Sequence, residues 1–154
     1  MNEQAKRAAL RLIPYGLYVI TYGTGAEANG FTSTWLSQAS FRPPLVMTGV
    51  GRGRLSEQVI RRTGVFVVNF LGRSQKALAE RFFKPVERLA DLGCTTGVTG
   101  APILNDALAY LECQVRDSLD LGDHLVVVGE VVAAEVRREE PVLELSDTSW
   151  HYGG

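Results

Sequence analysis

A run of hydroxyl side chains is the most unusual chemical feature of this sequence. Five of the nine residues at positions 32–40 are Ser or Thr, and Arg42 is the only charged residue from position 30 to 44. Phe31, Trp35 and Phe41 lie among these polar side chains. This mixture suits a flat ligand that is polar at its edge and apolar on its faces. A buried, kinked strand whose hydroxyls bond to the backbone would have the same composition, so both interpretations stay open.

A second candidate site is a glycine-rich segment that precedes a predicted helix. Glycine occupies every other position from 49 to 53, but the dinucleotide-binding fingerprint needs a third glycine at position 54, which is arginine. We therefore reject a Rossmann fold. Arg52, Arg54 and Ser56 lie at the predicted helix start, where free backbone N–H groups and a guanidinium group favour an anion such as phosphate. A solvated turn with two surface arginines explains the same residues equally well.

The two histidines are weak candidates when each is taken alone. Gly122-Asp123-His124 is typical of a hairpin turn followed by a strand, and a lone histidine indicates little about chemistry. His151 lies between Trp150 and Tyr152, which predicts either a frayed tail or an aromatic lid. The sequence has neither a Ser-x-x-Lys nor a Gly-x-Ser-x-Gly motif and no paired carboxylates, so nothing in it indicates a hydrolase.

The elements that would position these residues are mostly strands. Alternating and β-branched patterns predict strands at 17–22, in the hydroxyl-rich stretch, and at 45–48, 65–71, 111–116, 125–136 and 142–145. Helices are predicted at 2–12, 55–62 and 74–83, the last with Ser74 as its N-cap, and 84–100 is predicted to be a long irregular connection. In the strand at 111–116, Leu111, Cys113 and Val115 are expected to face the core, with Glu112 on the polar side. The pattern favours a mainly β fold, a closed antiparallel barrel with peripheral helices, over a layered parallel sheet.

The composition is that of one globular domain. The chain of 154 residues is 45% hydrophobic and 21% charged, so we expect a single domain over 1–154 with a helical N-terminal extension at about 2–12. Sixteen basic residues against seventeen acidic ones give no general attraction to nucleic acid or to a membrane surface. No membrane span, signal pattern or metal site is predicted, and the expected location is the cytoplasm. Cys94 and Cys113 are expected to be reduced thiols rather than a disulfide or zinc ligands.

Several segments together resemble the flavin reductase-like, FMN-binding split-barrel family. In chain order they are Pro14-Tyr15-Gly16-Leu17, Gly30-Phe31-Thr32-Ser33-Thr34, Ser37-Gln38-Ala39-Ser40, Pro43-Pro44-Leu45-Val46, Gly64-Val65-Phe66-Val67-Val68-Asn69, Gln75-x-x-Leu78-Ala79-x-x-Phe82, Leu111-Glu112-Cys113, Gly122-Asp123-His124 and Gly129-Glu130-Val131. The order and spacing of these segments extend over nearly the whole chain, and this collinearity makes the resemblance specific.

The resemblance implies a homodimeric split barrel that holds FMN, or FAD, near the subunit interface and receives hydride from NADH or NADPH. The reduced flavin or its electrons would pass to a monooxygenase or another redox partner. On this resemblance the site residues are Thr32, Ser33, Thr34 and Trp35 beside the flavin ring, Gln38, Ala39 and Ser40 along the ribityl chain, Arg54 with Ser56 and the alternative Arg52 at the phosphate, Asn69 as a further cofactor contact, and His124 near the nicotinamide.

Three other functions use the same barrel. An FMN-bound electron-transfer protein that does not turn over nicotinamide needs the same pocket. An enzyme like pyridoxamine-phosphate oxidase would share the fold, and a structural barrel would bind no ligand. The sequence alone does not separate these functions from a reductase.

Overall fold

The computed structural model describes all residues from Met1 to Gly154. The helices are α1 (Glu3–Leu10), α2 (Leu55–Thr63) and α3 (Lys76–Arg81). The strands are β1 (Tyr18–Tyr22), β2 (Asn29–Ser33), β3 (Leu36–Ser40), β4 (Leu45–Gly51), β5 (Val65–Phe70), β6 (Cys94–Thr96), β7 (Pro102–Leu104), β8 (Ala109–Asp120) and β9 (His124–Val136). The predicted mainly β fold with peripheral helices is therefore confirmed.

Seven strands form one antiparallel sheet whose two edge strands are neighbours in the sequence. The strand order is β2-β1-β5-β8-β9-β4-β3, and only Thr34 and Trp35 separate β2 from β3. At this junction the Ser33 and Thr48 hydroxyls lie 3.2 Å apart, and the Gly49 N–H donates to the Trp35 carbonyl at 3.2 Å. The chain thus crosses from one edge of the sheet to the other, and the two edges meet where the hydroxyl-rich stretch bends.

Two apolar clusters lie on either side of this sheet. The first surrounds Phe66 and includes Val59 and Ile60 of α2. Gly129 of β9 passes so close to it that an added Cβ would lie 2.6 Å from Phe66 Cζ, so only glycine fits there. The second cluster joins the sheet to α3 and to the C-terminal segment through Leu17, Leu71, Phe82 and Leu143, among others. It fixes the position of the residues that follow α3.

Three predicted elements differ from the structure. The segment 84–100 is not wholly irregular, because β6 within it pairs with β7 and a short 3₁₀ turn covers Leu89–Leu92. The helix predicted at 74–83 begins as a 3₁₀ turn, and Ser74 is not its N-cap: the Gly72 N–H donates to the Gln75 side chain at 2.8 Å instead. The strand predicted at 142–145 consists of two isolated bridges, from Val142 to Gly72 and from Glu144 to Gly16.

A loop covers the face of β8 that was predicted to be polar. Cys113 pairs with Phe66 and Glu112 with Val67, and these partners belong to different apolar clusters, so Glu112 and Cys113 lie on opposite faces of the sheet, as alternation predicts. Both side chains are buried, however, so the expectation that the face of Glu112 is polar and open is wrong. The Glu112 carboxylate accepts bonds from the N–H groups of Val98 and Thr99 at 3.1 and 2.9 Å and from the Thr99 hydroxyl at 2.7 Å. A Cβ at Gly97 would lie 2.2 Å from a Glu112 oxygen, so this loop closes directly onto the buried carboxylate.

The remaining features concern the termini and the thiols. α1 has no buried residue, and the Asn2 side chain caps it by accepting the Ala5 N–H at 2.9 Å. None of the helices is both long enough and apolar enough to span a membrane. Cys94 and Cys113 are free thiols, as predicted, and burial, with a smaller contribution from Glu112, raises the pKa of Cys113 to about 12.

Candidate functional site

A cleft of about 530 Å³ opens at the corner where the two edges of the sheet meet. Its walls come from β2, the bend after β2, β4, the start of α2, the turn after α3, the first residue of β9 and the C-terminal segment. The lining residues are Leu17, Tyr22, Gly30, Phe31, Thr32, Ser33, Thr34, Trp35, Gly49, Gly51, Arg54, Leu55, Ser56, Phe82, Phe83, Lys84, Pro85, His124, Leu145, Trp150, His151 and Tyr152. The cleft therefore brings together seven of the twelve predicted site residues, from three separate motifs.

The hydroxyl groups of the first motif are used in different ways. The Thr32 hydroxyl donates to the carbonyl of Ala79, and the Ser33 hydroxyl lies within hydrogen-bond distance of Thr48. The Thr34 hydroxyl is buried and has no hydrogen-bond partner in the protein. Both interpretations of this stretch thus hold in part: it is a kinked strand with internally bonded hydroxyls, and it leaves one hydroxyl for a ligand.

Trp35 is the aromatic wall of the cleft. Its ring lies against Gly49, where a Cβ would come within 2.8 Å of Trp35 Cε3, so glycine allows this close packing. The indole Nε1 is buried and has no partner. Since an unpaired buried donor costs about 1–3 kcal/mol, two such atoms on consecutive residues that line the cleft indicate that a polar ligand completes the site.

The structure distinguishes the two arginines at the predicted phosphate site. Arg52 forms an ion pair with Asp120 at the end of β8 and does not line the cleft. Arg54 lines the cleft together with Ser56, and it forms no ion pair. The Gly53 N–H is taken by the Glu57 carboxylate at 2.7 Å, and this bond lowers the pKa of Glu57. The guanidinium group that remains available to an anion in the cleft is therefore that of Arg54.

His124 is the first residue of β9, and each of its two ring nitrogens contacts a side chain of the protein. Nδ1 lies 2.6 Å from a carboxylate oxygen of Asp123, and Nε2 lies 2.9 Å from the hydroxyl of Tyr152. The Trp35 ring contacts His124 at 4.5 Å between centroids and Tyr152 at 5.4 Å. The bond from His124 lowers the pKa of Asp123, whereas burial, followed by the nearby Asp123 charge, raises the pKa of Tyr152.

The C-terminal segment covers the cleft rather than fraying from it. Trp150 meets Phe83 edge to face at 4.7 Å, and the Lys76 ammonium lies 5.0 Å above the Trp150 ring. Further along, the Gly154 carbonyl accepts a bond from Arg7 of α1 at 3.0 Å. Of the two interpretations of the tail, the aromatic lid is the one that the structure supports.

Five predicted site residues do not line the cleft. One is Arg52. Gln38 and Ala39 are exposed on β3, and Ser40 at its end is half-buried. Asn69 is fully buried, and its amide donates to the Val19 carbonyl and the Thr21 hydroxyl and accepts the Leu104 N–H. These bonds tie β5 to β1 and β7, which gives Asn69 a structural role.

The sequence did not predict two parts of the cleft. These are the lining residues that follow α3 in the chain, and the contact of Tyr152 with His124. Phe83 ends the helix predicted at 74–83 and Lys84 begins the segment without periodicity, and only the fold brings these two residues to the cleft. For Tyr152 a signal existed, since two of the last five residues are large aromatics beside a histidine. That signal did not say what Tyr152 contacts.

Comparisons with known proteins identify the family of this chain. The sequence model of the flavin reductase like domain matches residues 10–152. The NADH:FMN oxidoreductase of Rhodococcus qingshengii is 32% identical over 136 residues, which cover 87% of this chain and 71% of that protein. A solved structure of the NADH:FAD oxidoreductase of Streptomyces globisporus in complex with NAD and FAD fragments has a TM-score of 0.82 and 29% identity, covering 94% of this chain and 87% of the other.

Some relatives are much longer than this chain. Diflavin flavoprotein A 1 of Synechocystis is 36% identical over 137 residues, which are 86% of this chain but only 24% of that protein. The chain thus spans about a quarter of the length of that relative. The match to the domain model nevertheless covers most of the sequence, so the chain belongs to the family of flavin reductase-like domains.

Proposed function

We propose that this chain is a flavin reductase domain that binds FMN in the cleft and accepts hydride from NADH or NADPH. The observation that carries the proposal is the pair of unpartnered buried atoms, Thr34 Oγ1 and Trp35 Nε1, in the same cleft as the free guanidinium of Arg54. An isoalloxazine ring has nitrogen and oxygen atoms along its edge, and FMN has a terminal phosphate. The residues present therefore fit this cofactor. FAD fits the same polar groups, as expected from the Streptomyces relative.

The protein groups have distinct parts in this proposal. Arg54 and Ser56, at the start of α2, bind the phosphate. Thr34 and the Trp35 indole bond to the ring edge, with Thr32 and Ser33 beside them. Hydride transfer from nicotinamide to the flavin ring is chemistry that the two cofactors supply when bound. The chain orients them and keeps water out, which can supply up to about 7–11 kcal/mol of a barrier.

The assembly around the cleft is also part of the proposal. Gln38, Ala39 and Ser40 extend from the bend along an exposed strand, where we propose that they approach the ribityl chain. Phe41 and Met47 expose apolar surface next to that strand, which supports a homodimer that covers it.

We further propose a cytoplasmic location and transfer of electrons to an oxygenase or another flavoprotein. Incorporation of a related domain within the longer diflavin flavoproteins supports such a redox partner.

A turnover assay tests the proposed function against its main alternative. Purified protein is mixed in air with excess FMN and NADH, and the nicotinamide absorbance band is followed with time. A reductase consumes NADH continuously, at a rate proportional to protein concentration. Because oxygen reoxidises reduced flavin, an electron-transfer flavoprotein would instead be indicated by bound flavin without NADH consumption above that of a protein-free mixture, and no flavin binding at all would indicate a structural barrel.

His124→Ala is expected to impair the use of nicotinamide without releasing the flavin. His124 lines the cleft beside Trp35, and both of its ring nitrogens are bonded within the protein, so a nicotinamide would meet the face or edge of its ring. A contact between two aromatic rings contributes about 0.5–1.5 kcal/mol, or roughly 2- to 10-fold in KM or rate. Steady-state kinetics with NADH measure this change, and fluorescence titration with FMN provides the control. Unchanged kinetics would remove His124 from the site.

A further inference from the structure

The contacts of His124 determine where its ring proton lies. Asp123 has 95% of its side chain exposed to solvent and its pKa is lowered, so it is a carboxylate that can only accept. The nitrogen that faces it at 2.6 Å, Nδ1, must therefore carry the proton when the imidazole is neutral. Nε2 is then left with a lone pair.

That lone pair needs a donor, and Tyr152 is the group placed to provide one. The Tyr152 hydroxyl lies 2.9 Å from Nε2. Burial raises the pKa of Tyr152, so its side chain stays a phenol at neutral pH and can donate. The charged groups that act on Tyr152 are Asp123 and Arg54, whose effects on its ionisation oppose each other. A directed chain of hydrogen bonds thus leads from Tyr152 to His124 and on to Asp123.

We propose that Tyr152 is a positioning residue of the cleft, whose hydroxyl acts together with the Asp123 carboxylate to fix the tautomer and the ring orientation of His124. The part of this proposal that concerns nicotinamide rests on the proposed function. Trp35 contacts both rings, so the three aromatic groups form one wall of the cleft. The wall thereby presents the His124 ring to the cleft in one fixed orientation.

The first test is independent of any cofactor. The chain has only two histidines, so long-range ¹H–¹⁵N NMR at mildly alkaline pH, with a His151→Gln variant for assignment, identifies the signals of His124. We expect protonated Nδ1 and unprotonated Nε2 in the wild-type protein. In Tyr152→Phe, which keeps the ring against Trp35, the Nε2 resonance should shift and the second tautomer should become populated. Protonated Nε2 in the wild type, or unchanged shifts in Tyr152→Phe, would overturn the proposal.

The second test is a double-mutant cycle on nicotinamide kinetics. Tyr152→Phe alone should raise the KM for NADH or lower the rate of flavin reduction roughly 2- to 10-fold, with the FMN dissociation constant unchanged. In a His124→Ala background the same substitution should have no further effect, because Tyr152 acts through His124. Equal effects in both backgrounds would overturn the positioning role. If the wild-type protein oxidises no NADH, the proposed function fails, while the NMR result still decides the role of Tyr152.

Discussion

Arg54→Ala is expected to weaken FMN binding by about 10- to 100-fold and to leave riboflavin binding nearly unchanged. Hydrogen bonds between charged groups contribute about 1.5–3 kcal/mol each, and Arg54 is the cleft arginine that forms no internal ion pair. Riboflavin has the same ring and ribityl chain but no phosphate. Fluorescence titrations of both ligands therefore separate a phosphate contact from a general change in the cleft.

Arg52→Ala is the matched control for this experiment. Arg52 lies two positions earlier and has the same charge, but it is paired with Asp120 outside the cleft. Removing Arg52 should change FMN affinity by less than about threefold, because only the screened long-range electrostatic field of its charge reaches the cleft. If Arg52→Ala weakens FMN binding as much as Arg54→Ala does, the phosphate is not bound where we place it. If Arg54→Ala weakens riboflavin equally, the arginine supports the cleft rather than the phosphate.

Glu112→Ala is expected to lower the free energy of unfolding by about 3–5 kcal/mol, a large effect for one side chain. The substitution leaves the N–H groups of Val98 and Thr99 and the Thr99 hydroxyl without their acceptor and creates a cavity where the buried side chain had been. Urea unfolding followed by tryptophan fluorescence measures the loss.

Gln114→Ala serves as the comparison, because Gln114 lies two residues along the same strand and is exposed. We expect it to change stability by no more than about 0.5 kcal/mol. A Glu112→Ala protein as stable as Gln114→Ala would show that the loop from Gly97 to Thr99 does not depend on the carboxylate.

Local patterns in the sequence were sufficient to predict most strands but not which side chains of β8 are buried. Alternation predicted that Leu111 and Cys113 face the core and that Glu112 lies on the other face, and the loop from Gly97 to Thr99 then buries Glu112 on that face. Cover by a distant loop depends on tertiary contacts and leaves no signature in the hydrophobic periodicity of the covered strand. The short strand β6 was missed for a related reason, because its pairing with β7 is tertiary and its residues are polar.

The candidate site was predictable where it is built from continuous motifs. Thr32 to Trp35 and Arg54 with Ser56 were identified by local chemistry, and His124 by the family resemblance, and the fold brings them to one cleft. Asn69 shows the limit of this approach, since a polar residue in an apolar strand can serve a ligand or the strands around it. Only its bonds to β1 and β7 show that it serves the strands.

The bend at Thr34 and Trp35 has a mechanical consequence. The same two residues join the sheet's edges and offer the unpartnered atoms of the cleft. A ring system bound there would link the two edges of the sheet, adding bonds where the hydrogen bonding between strands is interrupted. Loss of the cofactor would then weaken the contact between the two edges, so the protein without cofactor should open first at this corner.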